Sequence, residues 1–206
     1  VKSFYGNFTV VVKALSYILT LGAEGIREAA QNAVLNANYM MKKLDDLYTI
    51  AYQERCMHEF VMSLEPLKKE TGISAMDIAK GLLDNGIHPP TMYFPLIVHE
   101  ALMVEPTESE PKAELDRFME ALVRIKRECE EIRDGKADAD DNVVKMAPHT
   151  AAEAAADVWL HGYGREKAVY PLKWIRESKF FPYVSKIDGG YGDRNLQCTC
   201  GVLYEE

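Results

Sequence analysis

The sequence predicts an α+β domain with a long helix in front of it. Three observations carry that expectation. Apolar residues recur at helical steps through most of residues 8 to 47. Two short apolar runs, HEFVMSL at 58–64 and ALMVE at 101–105, have strand character. Cap-bounded helical patterns lie between and after them. With 206 residues, 48% of them apolar, the chain can bury a sizeable core as one large domain or one domain with an extension.

Each element follows from its local pattern. Phe8, Val11, Val12, Leu15, Ile18 and Leu19 are spaced for one helix face, and Gly22 and Gly25 interrupt it. A second stripe runs Ile26, Ala30, Ala33, Ala37, Met40, Leu44, Leu47, with alanines small enough to let another element approach closely. HEFVMSL, bounded by Pro66, reads as a strand. Ser74 and Asp77 form a capping box that opens SAMDIAKGLLDN, and Gly86 is the expected C-terminal cap. The stretch GIHPPTMYFPLIVHEALMVEPTESE is extended, because residues before proline avoid helical dihedrals, and ALMVE is its strand. Thr107 and Glu110 form a second capping box, with Pro111 in the first turn of a helix that runs through Leu115, Phe118, Leu122, Cys129 and Ile132 to near Gly135. An acidic loop, a short alanine-rich helix around Ala151 to Trp159 and an irregular tail complete the chain. There are no internal repeats.

Charge and spacing exclude several functions. A net charge of −8 opposes nonspecific binding to nucleic acid or to an anionic membrane. No apolar run is expected to cross a bilayer, and the start, VKSFYGNF, reads as a cut made inside a longer protein rather than a signal. His99-Glu100 lacks the second histidine of an HExxH helix, and the five histidines (58, 88, 99, 149, 161) show no ligand spacing, so no metal site is expected. No GxSxG elbow exists, and DGGYGDRN does not sit between a strand and a helix as a phosphate loop must. Glu105 and Glu108 could form an acid/base pair, but carboxylates at a helix start serve as caps. Cys56 and Cys129 read as buried thiols, and Cys198 and Cys200 form a CTC without a second pair. A reducing, cytoplasmic compartment is the expectation. The residues alone give a fold class and no reaction.

Longer motifs add more. GIHPPTMYFPLIVHEALMVEPTESEPKAELDRF, APHT at 147–150, YGDRNLQCTC, FYGNFTVVVKALSYI and AVLNANYM together resemble the glycine cleavage system P-protein family, the decarboxylating glycine dehydrogenases. The likeness is to the C-terminal portion of subunit 2 in the split form, and it covers nearly the whole chain. It implies a pyridoxal-phosphate enzyme of the aspartate-aminotransferase-like fold (fold type I). Glycine would lose carbon dioxide on the cofactor, and the aminomethyl group would pass to the lipoyl arm of an H-protein, with the first P-protein subunit as the other partner. Residues 1–48 would be a connecting helical segment from a large domain, and 49–206 the small domain with its tail.

The family's cofactor lysine follows a histidine, and no His-Lys pair occurs in this chain, so no catalytic residue is expected in it. The lysines present read as solvated charges. By the resemblance, Gly6 and Asn7 approach the cofactor phosphate at a helix N-terminus. Asn7 serves equally well as a plain helix cap. His99 and Glu105 would reach toward substrate, with His88 and Thr91 holding the HPPT turn, and Cys198 or Cys200 would act as a redox latch. The rival expectation is a non-catalytic dimerisation or interaction module that binds a lipoyl-bearing partner.

Overall fold

The structure, a computed structural model, describes residues 3–196. It opens with α1 (Phe8–Leu44), 37 residues long, capped by the Asn7 side chain, which accepts from the Thr9 N–H. Gly22, at φ 63° and ψ −174°, breaks the helix into two halves in a conformation that essentially only glycine adopts. The halves live in different environments. The rear half buries Ala37, Met40, Met41 and Leu44, whereas Phe8, Val11, Leu15, Ile18 and Leu19 on the front half are more than half exposed.

Four short strands follow, interleaved with helices: β1 (Thr49–Ile50), β2 (Phe60–Ser63), β3 (Thr91–Met92) and β4 (Ala101–Val104). They form one antiparallel sheet in the order β1-β2-β4-β3. In the central pair Phe60 lies opposite Val104 and Met62 opposite Leu102. That face is covered by the rear half of α1, by α3 (Ala75–Asp84) and by α4 (Lys112–Arg133), whose Leu82, Leu122 and Ile125 enter the same core. α2 (Glu65–Thr71) links β2 to α3. Beyond α4 an arm crosses the domain with α5 (Ala151–Ala155), α6 (Arg165–Val169), a 3-10 turn (Lys173–Glu177) and α7 (Gly189–Arg194).

The polar residues of α1 act as clamps. Asn36 Nδ2 donates to the carbonyls of Thr107 (2.9 Å) and Glu110, Asn38 exchanges hydrogen bonds with the Cys56 backbone, and Tyr39 donates to Asp116 Oδ1 (2.6 Å). One turn of α1 thereby fixes two loops and the start of α4. Glu100, at φ 51°, plays a similar part, accepting from the Ala75 N–H at the start of α3 and from Lys68.

The α+β class holds, and several local expectations need correction. Thr107 and Glu110 form no capping box: the Thr107 hydroxyl pairs with Ser109, the Glu110 N–H donates to the Thr107 carbonyl, and the extended Pro111 is the N-cap of a helix that begins at Lys112. The strand is shorter than HEFVMSL. Asn85 rather than Gly86 is the C-cap of α3, with Gly86 in the left-handed conformation one residue on. α5 stops at Ala155 because Trp159 is drawn away to donate to the Tyr163 carbonyl. Ile26 is 40% exposed, so the core stripe of α1 begins later than its spacing suggests.

Cys56 is only half-buried, although Cys129 is buried and its thiol is pushed up to about 12, chiefly by burial. Lys145, Lys167, Lys179 and Lys186 are half-buried, not solvated. Finally, α1 is long and apolar enough to cross a membrane by length and composition, with mean hydropathy 1.4 in a window none of which is buried. Lys13 is the only charged residue between Phe8 and Ala23, which is why the expectation of no such run fails.

The two capping motifs make a paired test. Ser74→Ala removes both bonds of a formed box and should cost about 1 kcal/mol in urea unfolding. Thr107→Ala should cost less than about 0.5 kcal/mol, because its hydroxyl caps nothing.

Candidate functional site

Where α3 ends and β4 leaves the sheet, the chain leaves a cleft of about 550 Å³. Its floor is apolar: Met40 from α1, Ile87, Val104, and Leu115 and Phe118 from α4. The polar groups stand at the rim. The turn after α3, closed by the Ile87 N–H donating to the Leu82 carbonyl, presents His88 at the cleft wall and leads into β3 with Thr91. The end of β4 presents Glu105, and α4 adds Glu114 and Arg117. Arg117 is ion-paired with Glu114 and lies 5.4 Å from the Trp174 ring centroid. Glu105 Oε1 lies 3.7 Å from His58 Nε2, which itself is 3.9 Å from Glu59. An imidazole, a carboxylate and a guanidinium around an apolar floor can orient a small polar molecule and move a proton. No lysine among the described residues lines the cleft.

The sequence-predicted residues divide accordingly. His88, Thr91 and Glu105 are brought together on the cleft wall. The side chains of His88 and Thr91 make no hydrogen bond among the described residues, so nothing shows them holding the turn, which backbone bonds close. His99 is not with them: it is exposed on the turn before β4, and its carbonyl accepts from Ser63 Oγ at 2.9 Å. Gly6 and Asn7 lie at the other end of α1, about 50 Å of helix from Met40. Gly6 has φ 121° with open space where a Cβ would stand. Asn7 is a cap, as its residue type allowed. Cys198 and Cys200 lie outside the described residues. His58, Arg117 and Trp174 were not singled out from sequence. Only the fold brings Arg117 and Trp174 to the cleft and His58 to within 3.7 Å of Glu105.

All of the cleft lining except Trp174, together with its clamps, falls within a match to known proteins. Residues 29–149 match the sequence profile described as glycine dehydrogenase, C-terminal domain. The chain belongs to this family. Among similar proteins, one from Serratia proteamaculans is 47% identical over 204 residues, covering 98% of this chain and 21% of the relative. Others from Nostoc punctiforme and Bordetella avium are 47% identical over 199 residues, covering 95% of this chain and 20% and 21% of those relatives. All three carry the name glycine dehydrogenase (decarboxylating). The chain therefore spans about a fifth of the length of the curated relatives it matches.

This glycine dehydrogenase C-terminal domain also holds a second polar cluster that spacing did not reveal. His149 of APHT is fully buried. Its Nδ1 is 2.7 Å from Asp84 Oδ2, and its Nε2 is 2.7 Å from the Tyr163 hydroxyl. Burial pushes the Tyr163 hydroxyl well up. Tyr163 stacks on His161, which is gripped on both sides, Nδ1 by Asp141 at 2.7 Å and Nε2 by Glu153 at 2.9 Å. The ring nitrogens point opposite ways to different partners, so this is a clasp rather than a ligand set. It pins the arm to the end of α3, two residues before the cleft turn begins.

Burial disfavours charge on His161, but the bonds to Glu153 and Asp141 outweigh it and raise the imidazole above its ordinary value. Burial likewise pushes Asp141 up, and the Gly162 N–H together with His161 brings it below the usual carboxylate range. A raised histidine contributes stability fully present below its unfolded value of about 6.5 and lost as pH climbs through the folded value. A depressed carboxylate contributes stability lost as pH falls through its folded value. The thermal midpoint should therefore decline above about pH 6.5, and His161→Gln should abolish that part of the decline. An unchanged pH profile in the variant would show that the clasp carries no linked proton.

Proposed function

We propose that this chain is the C-terminal part of a decarboxylating glycine dehydrogenase of the fold type I, pyridoxal-phosphate class. The complete enzyme decarboxylates glycine and delivers the aminomethyl group to the lipoyl arm of an H-protein, and the chain works with the polypeptide of a first subunit. The observation that carries this reading is the 47% identity running through 98% of the chain to a relative so named. The α+β fold with a long helix leading into it supports the small-domain assignment, residues 1–48 acting as the tether from a large domain.

In this reading the residues of this chain do not make a cofactor site by themselves: no lysine among the described residues borders the cleft, and the Gly6–Asn7 helix start lies at the far end of α1. The cofactor, when bound in the complete enzyme, supplies the electron sink for decarboxylation. In this reading the chain supplies a wall: His88, Thr91 and Glu105 on the substrate side, and the Gly6–Asn7 turn beside the phosphate of the assembled site.

Two experiments check the reading. In the complete enzyme, Glu105→Gln should lower kcat/KM for glycine by about tenfold or more, whereas His99→Ala, off the cleft, should change it less than about threefold. Equal losses at both positions would remove the cleft from the site. The 206-residue chain mixed with pyridoxal phosphate should form no stoichiometric imine trappable by borohydride. A one-to-one adduct would overturn the assignment of the cofactor lysine to the missing polypeptide.

A further inference from the structure

Resting on the glycine dehydrogenase reading, we infer that the groove between α5 and α6 receives an acidic segment with apolar flanks from the four-fifths of the enzyme outside this chain. The groove holds about 570 Å³. Ala151, Ala154 and Ala155 form one side, and Val169 and Phe181 the other. Two arginines enter this apolar setting. Arg176 is ion-paired with Glu166 and stacks 4.9 Å from the Tyr170 centroid, so its charge is already matched. Arg165 differs. Its Nη2 donates to the Ala156 carbonyl at 2.8 Å and its guanidinium sits 5.5 Å from the Trp159 centroid, but it has no ion-pair partner among the described residues. Its Nε is buried without a hydrogen bond. A half-buried guanidinium in an apolar wall is costly unless a carboxylate neutralises it, and its planar fork suits a carboxylate held bidentately.

The segments that bound the groove decide what brings that carboxylate. Val158 and Leu160 lie in the connection between α5 and α6, and Phe180 and Tyr183 lie beside Phe181 in sequence; all four are largely in water, Leu160 86% exposed and Tyr183 91%. A small acid would neutralise Arg165 and leave these apolar side chains wet, whereas a polypeptide can cover both. A second copy of the chain, with a net charge of −8 like the first, is repelled at long range. The relatives are about five times as long as this chain, so on the glycine dehydrogenase reading there is ample further polypeptide to supply the segment.

The test is a structure of the complete enzyme together with charge reversal in it. The expected result is an Asp or Glu from outside residues 1–206 within about 4 Å of the Arg165 guanidinium, an ion-pair distance. Arg165→Glu should then reduce the assembled, active fraction about fivefold, and converting that carboxylate to Arg in the same protein should restore it. A groove open to solvent, or one filled by a second copy or by the lipoyl-bearing partner, overturns the inference. Loss of assembly without rescue overturns it too. If the complete enzyme decarboxylates glycine while the groove stays open, this inference falls and the functional reading stands. A complete protein without that activity defeats the functional reading whatever fills the groove.

Discussion

Water is a poor solvent for the front half of α1. Phe8, Val11, Leu15, Ile18 and Leu19 are all more than half exposed among the described residues, and the Asn7 side chain caps the helix start. A free helix of that length is marginal in water, so its order depends on something lying against it. Each such side chain covered is worth about 2 kcal/mol. The rest of the molecule is arranged around this demand. The rear half of α1 is locked into the core by Met40 and Leu44, and Gly22 lets the two halves take separate directions. A domain built this way is complete behind Gly22 and unfinished in front of it.

Behind the hinge, position is passed from element to element. Asn36, Asn38 and Tyr39 tie α1 to the loop before α4, to the strand approach at Cys56 and to α4 itself. Glu100 ties the turn before β4 to the start of α3. The His149–Asp84 contact secures the other end of α3, from which the cleft turn departs. The cleft therefore has its walls set by polar contacts between elements, while the groups that face solvent at its rim, His88 and Glu105, are left free of structural duties on the cleft side. That division suits a wall that meets substrate only when a second piece of polypeptide closes it.

Much of this was legible in the sequence, and the failures have physical causes. The Ser74–Asp77 box was readable because both partners of a local motif lie within one helical turn. Thr107–Glu110 has the same spacing, but the Thr107 hydroxyl pairs with Ser109, the Glu110 N–H donates to the Thr107 carbonyl, and the helix starts only after Pro111. The strands at 60–63 and 101–104 showed as apolar runs, whereas β1 and β3, two residues each, carry too little pattern to stand out. His149 looked like a histidine without partners because its partners, Asp84 and Tyr163, are supplied by the fold. His99 was attractive by its neighbours in sequence, yet the turn aims it away from the cleft that His88 and Glu105 share. The family relationship was legible because its motifs span nearly the whole chain.

The most direct measurement of the central claim is backbone amide exchange along Val10–Ile18, compared between the 206-residue chain and the complete enzyme. If the front half of α1 exists to be covered, exchange there should slow about a hundredfold or more on completion, approaching the rate of the core half around Met40. Exchange that is equally fast in both would mean that nothing packs on this helix, and the account of an unfinished domain would be wrong.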